Sequence, residues 1–387
     1  MEKAVIAGFV RTPFHFANKG SLSKVRPDDL AAITLRALVD RSGLDPALIE
    51  DVLMGCSYPE ASQGNNIARI ASLLAGLPEE IGAATINRFC GSSMYAIHVA
   101  AGQIAIGAGD AFIAAGVESM SKVPQGGFNF SPNPRFRRAD LPDAEILTEA
   151  YVAMGQTAEN VAERYRVSRA QQEQLAYESQ MKAAAARSEG RLADEIVAVP
   201  LPDGTEVRED GCLRPGTTLE GLAALKPAFR EDGTVTAGTA SPLTDGAVAT
   251  LITSEPFARE HGLTVMARIV ATAVAGVAPE YMGMGPVPAT RKALARAGIG
   301  AGDLSVVEIN EAFGSQAVAC LDELGIDRAT VNLDGGGISI GHPLGATGAR
   351  ITAKAAQLLA RTGGRYGLAT QCIGGGQGIA TVLEVVA

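Results

Sequence analysis

Cys90 is the residue of this chain whose setting best suits chemistry. It falls between an apolar run (Ala83, Ala84, Ile86) and a small-residue helix opened by Gly91-Ser92-Ser93. A sulfur at a strand end and helix start meets backbone N–H groups and the positive end of the helix dipole. That setting favours the thiolate, so the sequence predicts a lowered pKa and a nucleophile near neutral pH. A cysteine at such a turn can equally be a small buried core residue, so the case depends on a partner. The commonest base for a cysteine is His. Of the four histidines, His15 lies in an early loop, His98 on the helix two turns beyond Cys90, and His261 in a charged link. His342 differs, because it sits in Gly341-His342-Pro343-Leu344-Gly345, where glycines admit close approach of backbone and ligand. Two more polar clusters follow apolar runs: Glu308-Ile309-Asn310-Glu311-Ala312-Phe313, and Thr370-Gln371-Cys372 leading into Gly374-Gly375-Gly376.

The elements that must position these groups alternate between strand and helix. Val5 to Val10 reads as a strand, and Asp28 as the cap of the helix DDLAAITLRALVDRSG, whose apolar residues have helical spacing. Val52 to Cys56 reads as a strand, Asn65 to Ala75 as a helix, and Ala111 to Val117 as a buried strand after the Cys90 helix. The segment from Pro124 to about Thr239, with its aromatics and long polar helices, reads as an inserted subdomain. Ala247 to Ile252 resumes the core, and Glu255 to Gly262 is a charged link. The remainder repeats the first part. Val265 to Val277, the helix RKALARAG, Leu304 to Ile309, Thr330-Val331-Asn332 and Tyr366 to Gln371 follow in the same order as their counterparts. Thr330-Val331-Asn332 mirrors Thr85-Ile86-Asn87, each ahead of a Gly-rich turn and a helix. Duplicated strand–helix–strand units imply sheets covered on both faces, and the turns carrying Cys90 and His342 become equivalent positions able to face one another.

Bulk properties exclude several classes. The chain has 387 residues, 47% hydrophobic and 19% charged, which supports a sizeable packed core. A net charge of −9 argues against a nucleic-acid partner or a polybasic membrane patch. Five widely spaced cysteines without C-x-x-C disfavour a disulfide scaffold and a zinc site. The start MEKAVIAGFVRTPF lacks signal-peptide character, and apolar runs break before membrane-spanning length, so a cytoplasmic protein without a membrane span is expected. The Gly-rich turns miss the dinucleotide fingerprint: Gly335-x-Gly337 and Gly374-x-Gly376 have Ile340 and Ile379 where the third glycine belongs.

The segments INRFCGSSM, AAGVESMSKVP, MGQTAENVAERY, LKPAFREDGTVTAGTASPLTDGA, NEAF, GGGISIGHPLGATGAR and QCIGGGQG resemble the signature blocks of the thiolase family, in the family's order from end to end. The resemblance implies an α/β fold: two duplicated βαβαβαββ domains in a layered αβαβα arrangement with an inserted loop domain. Residues 1–121 would form the N-terminal half, completed by about 240–262. Residues 122–239 would be the CoA-binding loop domain, and 263–387 the C-terminal half.

By the same resemblance Cys90 is the acylated nucleophile, His342 its base, and Cys372 the second catalytic cysteine. Asn310 would hold a water that stabilises an enolate with His342, and the N–H groups of Cys90 and Gly374 would form an oxyanion hole. Coenzyme A, a co-substrate rather than a permanently bound cofactor, would lie near Met154, Arg214 and Ser241. Met282, Ala312 and Phe313 would surround its pantetheine. The implied reaction is thiolysis of a 3-ketoacyl-CoA, as in fatty acid β-oxidation, by a homodimer or homotetramer with a hydratase–dehydrogenase subunit as a further partner. Ala153 before Met154-Gly155 and the order Cys-Gly-Ser-Ser resemble the degradative branch. Alternatives are a condensing acetoacetyl-CoA thiolase, a β-ketoadipyl-CoA thiolase, and a non-catalytic acyl-CoA or lipid binder. Asp334 stands where the family often has Asn.

Overall fold

A computed structural model describes residues 2–137 and 150–386. The stretch 138–149, within the expected loop domain, lies outside the described residues.

The first half runs β1 (Ala4–Arg11), the short β2 (His15–Phe16), α1 (Pro27–Ser42), β3 (Asp51–Gly55), α2 (Ile67–Leu74), β4 (Gly82–Ile86), α3 (Ser92–Ala105) and β5 (Ala111–Ser119). The segment that follows contains α4 (Met154–Arg164), α5 (Arg169–Ser188), a ribbon of β6 (Val199–Pro200) and β7 (Glu206–Val207), and α6 (Leu219–Ala223). Then come β8 (Thr244–Ser254) and α7 (Glu255–Glu260). The second half holds β9 (Ala267–Gly276), α8 (Pro286–Ala297), β10 (Leu304–Ile309), α9 (Gly314–Leu324), α10 (Gly337–Ile340), α11 (Leu344–Thr362), β11 (Tyr366–Ile373) and β12 (Gln377–Glu384).

The strands order as β10-β11-β12-β9-β1-β8-β5-β3-β4, with β2 paired to β8. The pairing is symmetric about the β1–β9 seam. On each side an antiparallel pair (β1–β8, β9–β12) leads to a second (β8–β5, β12–β11) and then to a parallel one (β5–β3, β11–β10). Among the described residues the two half-sheets pair along β1 and β9 at Val5 with Arg268 and Ile6 with Ala267. Helices α3 and α11 pack on each other between the half-sheets, while α1 and α2 cover one outer face and α8 and α9 the other. Three apolar clusters fill the spaces. The central one joins Ile97, Ala100 and Ile104 of α3 to Ile351, Ala355 and Leu358 of α11, and the outer two lie beneath α1 and α8. This is the expected αβαβα layering.

Two local expectations are corrected. Asp28 does not cap α1, because Pro27 takes the first helical position and Arg26 forms the boundary without a side-chain cap. The Asp28 carboxylate pairs instead with Arg26, 2.6 Å away. In the second half the strand expected at Thr330-Val331-Asn332 shrinks to one bridge, Val331 to Val307. The side chain of Asn332 replaces the missing ladder: its Oδ1 accepts from the Ile309 N–H and its Nδ2 donates to the Ile309 carbonyl, both at 2.9 Å. With both backbone groups of Ile309 satisfied by one amide, the strand need not continue.

The inserted segment leaves the first half and returns to it, yet α4 and α5 pack on α9 of the second half. Buried charges tie all three parts together. Arg11 of β1 pairs with Glu195 and Asp210 of the insert, each at 2.6 Å, and Glu195 pairs with Lys354 of α11 at 2.9 Å. Lys354 also reaches Asp334 at 2.9 Å, and Arg191 and Arg361 converge on the same carboxylate. Three cations around one buried side chain give Asp, rather than Asn, a physical reason at 334, since buried charges persist only when paired.

Candidate active site

Phe89, just before the sulfur of Cys90, holds a left-handed backbone conformation with φ of 42°. The turn is fixed by its own polar atoms. Ser92 Oγ accepts from Arg88 N–H at 2.9 Å and donates to the Phe89 carbonyl at 2.6 Å, and Asn87 Oδ1 accepts from Phe89 N–H at 2.9 Å. The Gln371 amide donates to the Cys90 carbonyl, tying this turn to β11 of the other half. Cys90 is half-buried and opens on a cavity of about 620 Å³.

His342 enters the same cavity from the second half. Gly341 precedes it with φ of +112°, and a Cβ there would lie 2.8 Å from Thr244, so glycine is needed for the turn to approach β8. That approach lets the His342 N–H donate to Thr244 Oγ1 at 3.0 Å. The imidazole Nδ1 lies 2.6 Å from Thr347 Oγ1, and Nε2 lies 3.3 Å from the Asn310 amide nitrogen. Glu118, at the end of β5, accepts from the N–H groups of Gly345 (2.9 Å) and Ser57 (2.8 Å), so one carboxylate holds the histidine turn against the first half.

Cys372 lies next to the last residue of β11, and Gly374 begins the turn to β12 in which Gly375 and Gly376 adopt φ of 78° and 81°. Cys372 is buried among Ala158, Met282, Ala312 and Phe313, with Met154 against them. Of the residues singled out from sequence, Cys90, His342, Cys372, Gly374, Met154, Ser241, Met282, Ala312 and Phe313 line the one cavity. Asn310 is buried behind it, touching His342. Arg214 is not in the lining; its guanidinium lies 5.6 Å from the Phe16 ring. Sequence reasoning missed the aromatic wall, in which Phe130 and Phe136 meet Tyr151 edge-on at 5.6 and 5.3 Å. It gave no role to Thr244, Thr347 and Glu118, which sit within quoted blocks, or to Gln371, named only as part of a polar cluster.

Electrostatics revise the first expectation about the nucleophile. Burial pushes the Cys90 thiol up to about 11, even though the backbone N–H groups of Gly374 and of Cys90 itself favour the thiolate. Burial also raises the Cys372 thiol well above the usual range, and the neighbouring Cys90 raises it further. His342 goes the other way: burial lowers it to about 4, so its ring is neutral at pH 7. Both shifts favour the neutral thiol beside the neutral ring over a thiolate–imidazolium pair. No helix among the described residues is long and apolar enough to cross a membrane.

Comparison with known proteins converges on the same frame. Residues 4–256 match the family model for the thiolase N-terminal domain and residues 263–385 that for the thiolase C-terminal domain. The chain is 47% identical to the 3-oxoadipyl-CoA/3-oxo-5,6-dehydrosuberyl-CoA thiolase of Escherichia coli strain K12, covering all of both chains. It is 48% identical to the 3-ketoacyl-CoA thiolase of Shewanella denitrificans and 47% identical to that of Pseudoalteromonas translucida, again over the whole of each. The chain belongs to the thiolase family.

Proposed function

We propose that this protein is an acetyl-CoA C-acyltransferase that cleaves 3-ketoacyl-CoA with coenzyme A into acetyl-CoA and a shortened acyl-CoA. One observation carries the reading: a cysteine of the first half shares a cavity with a cysteine and a neutral histidine of the second. Cys90 Sγ attacks the 3-keto carbon as His342 takes its proton. The N–H groups of Cys90 and Gly374 then serve the oxyanion, which lies two bonds from the sulfur. Cleavage of C2–C3 leaves Cys90 acylated and releases the acetyl-CoA enolate. The imidazolium of His342 and a water held by Asn310 stabilise its oxygen, and the Cys372 thiol protonates its carbon. Cys372 thiolate then takes the proton of the incoming CoA thiol. CoA sulfur attacks the acyl group, and His342 returns a proton to the departing Cys90.

On this reading residues 122–239 act as the loop domain, with the pantetheine running past Ser241, Met154, Met282, Ala312 and Phe313, and Arg214 meeting CoA outside the cavity. Among the described residues the walls formed by Phe130, Phe136, Tyr151, Val152 and Leu243 suit an uncharged acyl chain, which supports a 3-ketoacyl-CoA of fatty acid degradation over 3-oxoadipyl-CoA. We assign the enzyme to the cytoplasm as a homodimer or homotetramer, with a hydratase–dehydrogenase subunit as a further partner; light scattering and co-purification test the assembly. Incubation with acetyl-CoA followed by peptide mass spectrometry tests the chemistry. An acetyl group on the Cys90 peptide is expected, and an unmodified Cys90 would overturn the assignment. Comparing thiolysis of straight-chain 3-ketoacyl-CoAs with that of 3-oxoadipyl-CoA tests the substrate class, and a preference for the dicarboxylic substrate would reverse it.

A further inference from the structure

The hydrogen bonds around His342 determine which of its nitrogens carries the proton. A threonine hydroxyl has one hydrogen to give. Thr347 Oγ1 lies 2.9 Å from the Pro343 carbonyl, an oxygen that can only accept, and 2.6 Å from His342 Nδ1. With its hydrogen donated to Pro343, the hydroxyl must accept from the ring, so Nδ1 bears the proton. The other side of the ring agrees. Nε2 faces the Asn310 amide nitrogen at 3.3 Å, and an N–H donor there matches a lone pair on Nε2. The Thr347 hydroxyl is well placed to impose this choice. Thr347 is 1% exposed, lies in the first turn of α11 and reaches back to the turn that carries the histidine. Water therefore does not compete for its oxygen.

We propose that Thr347 is a positioning residue for the reaction. Its hydroxyl fixes His342 as the Nδ1–H tautomer, so that Nε2, whose lone pair faces the Asn310 amide in the resting site, is the nitrogen that takes the Cys90 proton. This rests on the thiolase reading of the site. Without the hydroxyl, Nδ1–H would be a buried donor with no partner, and the ring would be free to carry its proton on Nε2, where it cannot act as a base.

The test uses Thr347→Val, which keeps the shape and removes the hydroxyl, against Thr347→Ser, which keeps the hydroxyl and removes the methyl. A residue that merely packs would tolerate Val better than Ser; a hydroxyl that sets the tautomer requires the reverse. The expected result is a fall in kcat of about 100-fold for Thr347→Val with KM little changed, and activity within about threefold of the parent for Thr347→Ser. Nitrogen-15 spectra of the histidine-labelled parent give an independent reading that no variant can confound: His342 should show a protonated Nδ1 and an unprotonated Nε2. A parent spectrum with the proton on Nε2, or a folded Thr347→Val enzyme with unchanged kcat, would overturn the proposal. Acetyl transfer to Cys90 in the parent separates the two claims. Its absence defeats the thiolase reading, whereas its presence beside a fully active Thr347→Val defeats only this inference.

Discussion

The corner after β4 and its counterpart after Val331 occupy equivalent places in the two half-sheets but are built in opposite ways. In the first half the strand is complete from Gly82 to Ile86 and only partly buried, and the turn beyond it offers a half-buried Cys90. In the second half the strand is reduced to Val331, and every residue from Gly335 to Pro343 is buried, His342 included. On the proposed mechanism the difference matches what each corner does. A nucleophile must be reached by substrate, whereas a base must stay neutral and keep one orientation, which burial and fixed partners provide. Duplication supplied the frame, and burial then divided the labour.

The most severe way to break this comparison is Cys90→Ala, which should abolish acyl transfer in a thiolysis assay while leaving the unfolding midpoint close to the parent's. Next in size, His342→Gln should lower kcat by about 10²- to 10⁴-fold, the usual range for general acid–base groups. Retention of more than a tenth of the activity would mean that the buried corner is not the base. The two asparagines sharpen the contrast in stability. Asn332→Ala leaves both backbone groups of buried Ile309 unpaired and should cost about 2–4 kcal/mol in denaturant unfolding. At Asn87, which is exposed, the same change should cost less than about 1 kcal/mol, since water replaces its bonds. Equal losses at the two positions would remove the asymmetry. The smallest effect concerns pH. His342 titrates near 4, and protonation below that removes the base, so the acid limb of acyl transfer to Cys90 should fall near pH 4. A midpoint near the ordinary imidazole value would show that the ring is solvated.

The order of elements, the repeat and the partners drawn to Cys90 were legible in the chain, because apolar periodicity and Gly-rich turns are local properties. What escaped was everything decided by tertiary burial. The dipole at the start of α3 suggested a low thiol pKa, yet desolvation outweighs it. The strand expected at Val331 shrinks to one bridge because one side chain, Asn332, does a ladder's work, and no local pattern announces that. Asp28 looked like a cap, but the adjacent Pro27 is better suited to the first helical turn. Asp334 lacked a reason until Lys354, Arg361 and Arg191 gathered around it from distant parts of the chain. The hydroxyls of Thr244 and Thr347 matter through single protons, which composition cannot reveal.

The inner layer shared by α3 and α11 also sets a timetable for synthesis. A chain made from its N-terminus completes α3 roughly 240 residues before α11 begins. At about 5–20 residues per second the apolar face of Ile97, Ala100 and Ile104 stays uncovered for roughly 12 to 48 seconds. During that interval the nascent first half holds an apolar layer whose second half has yet to be made.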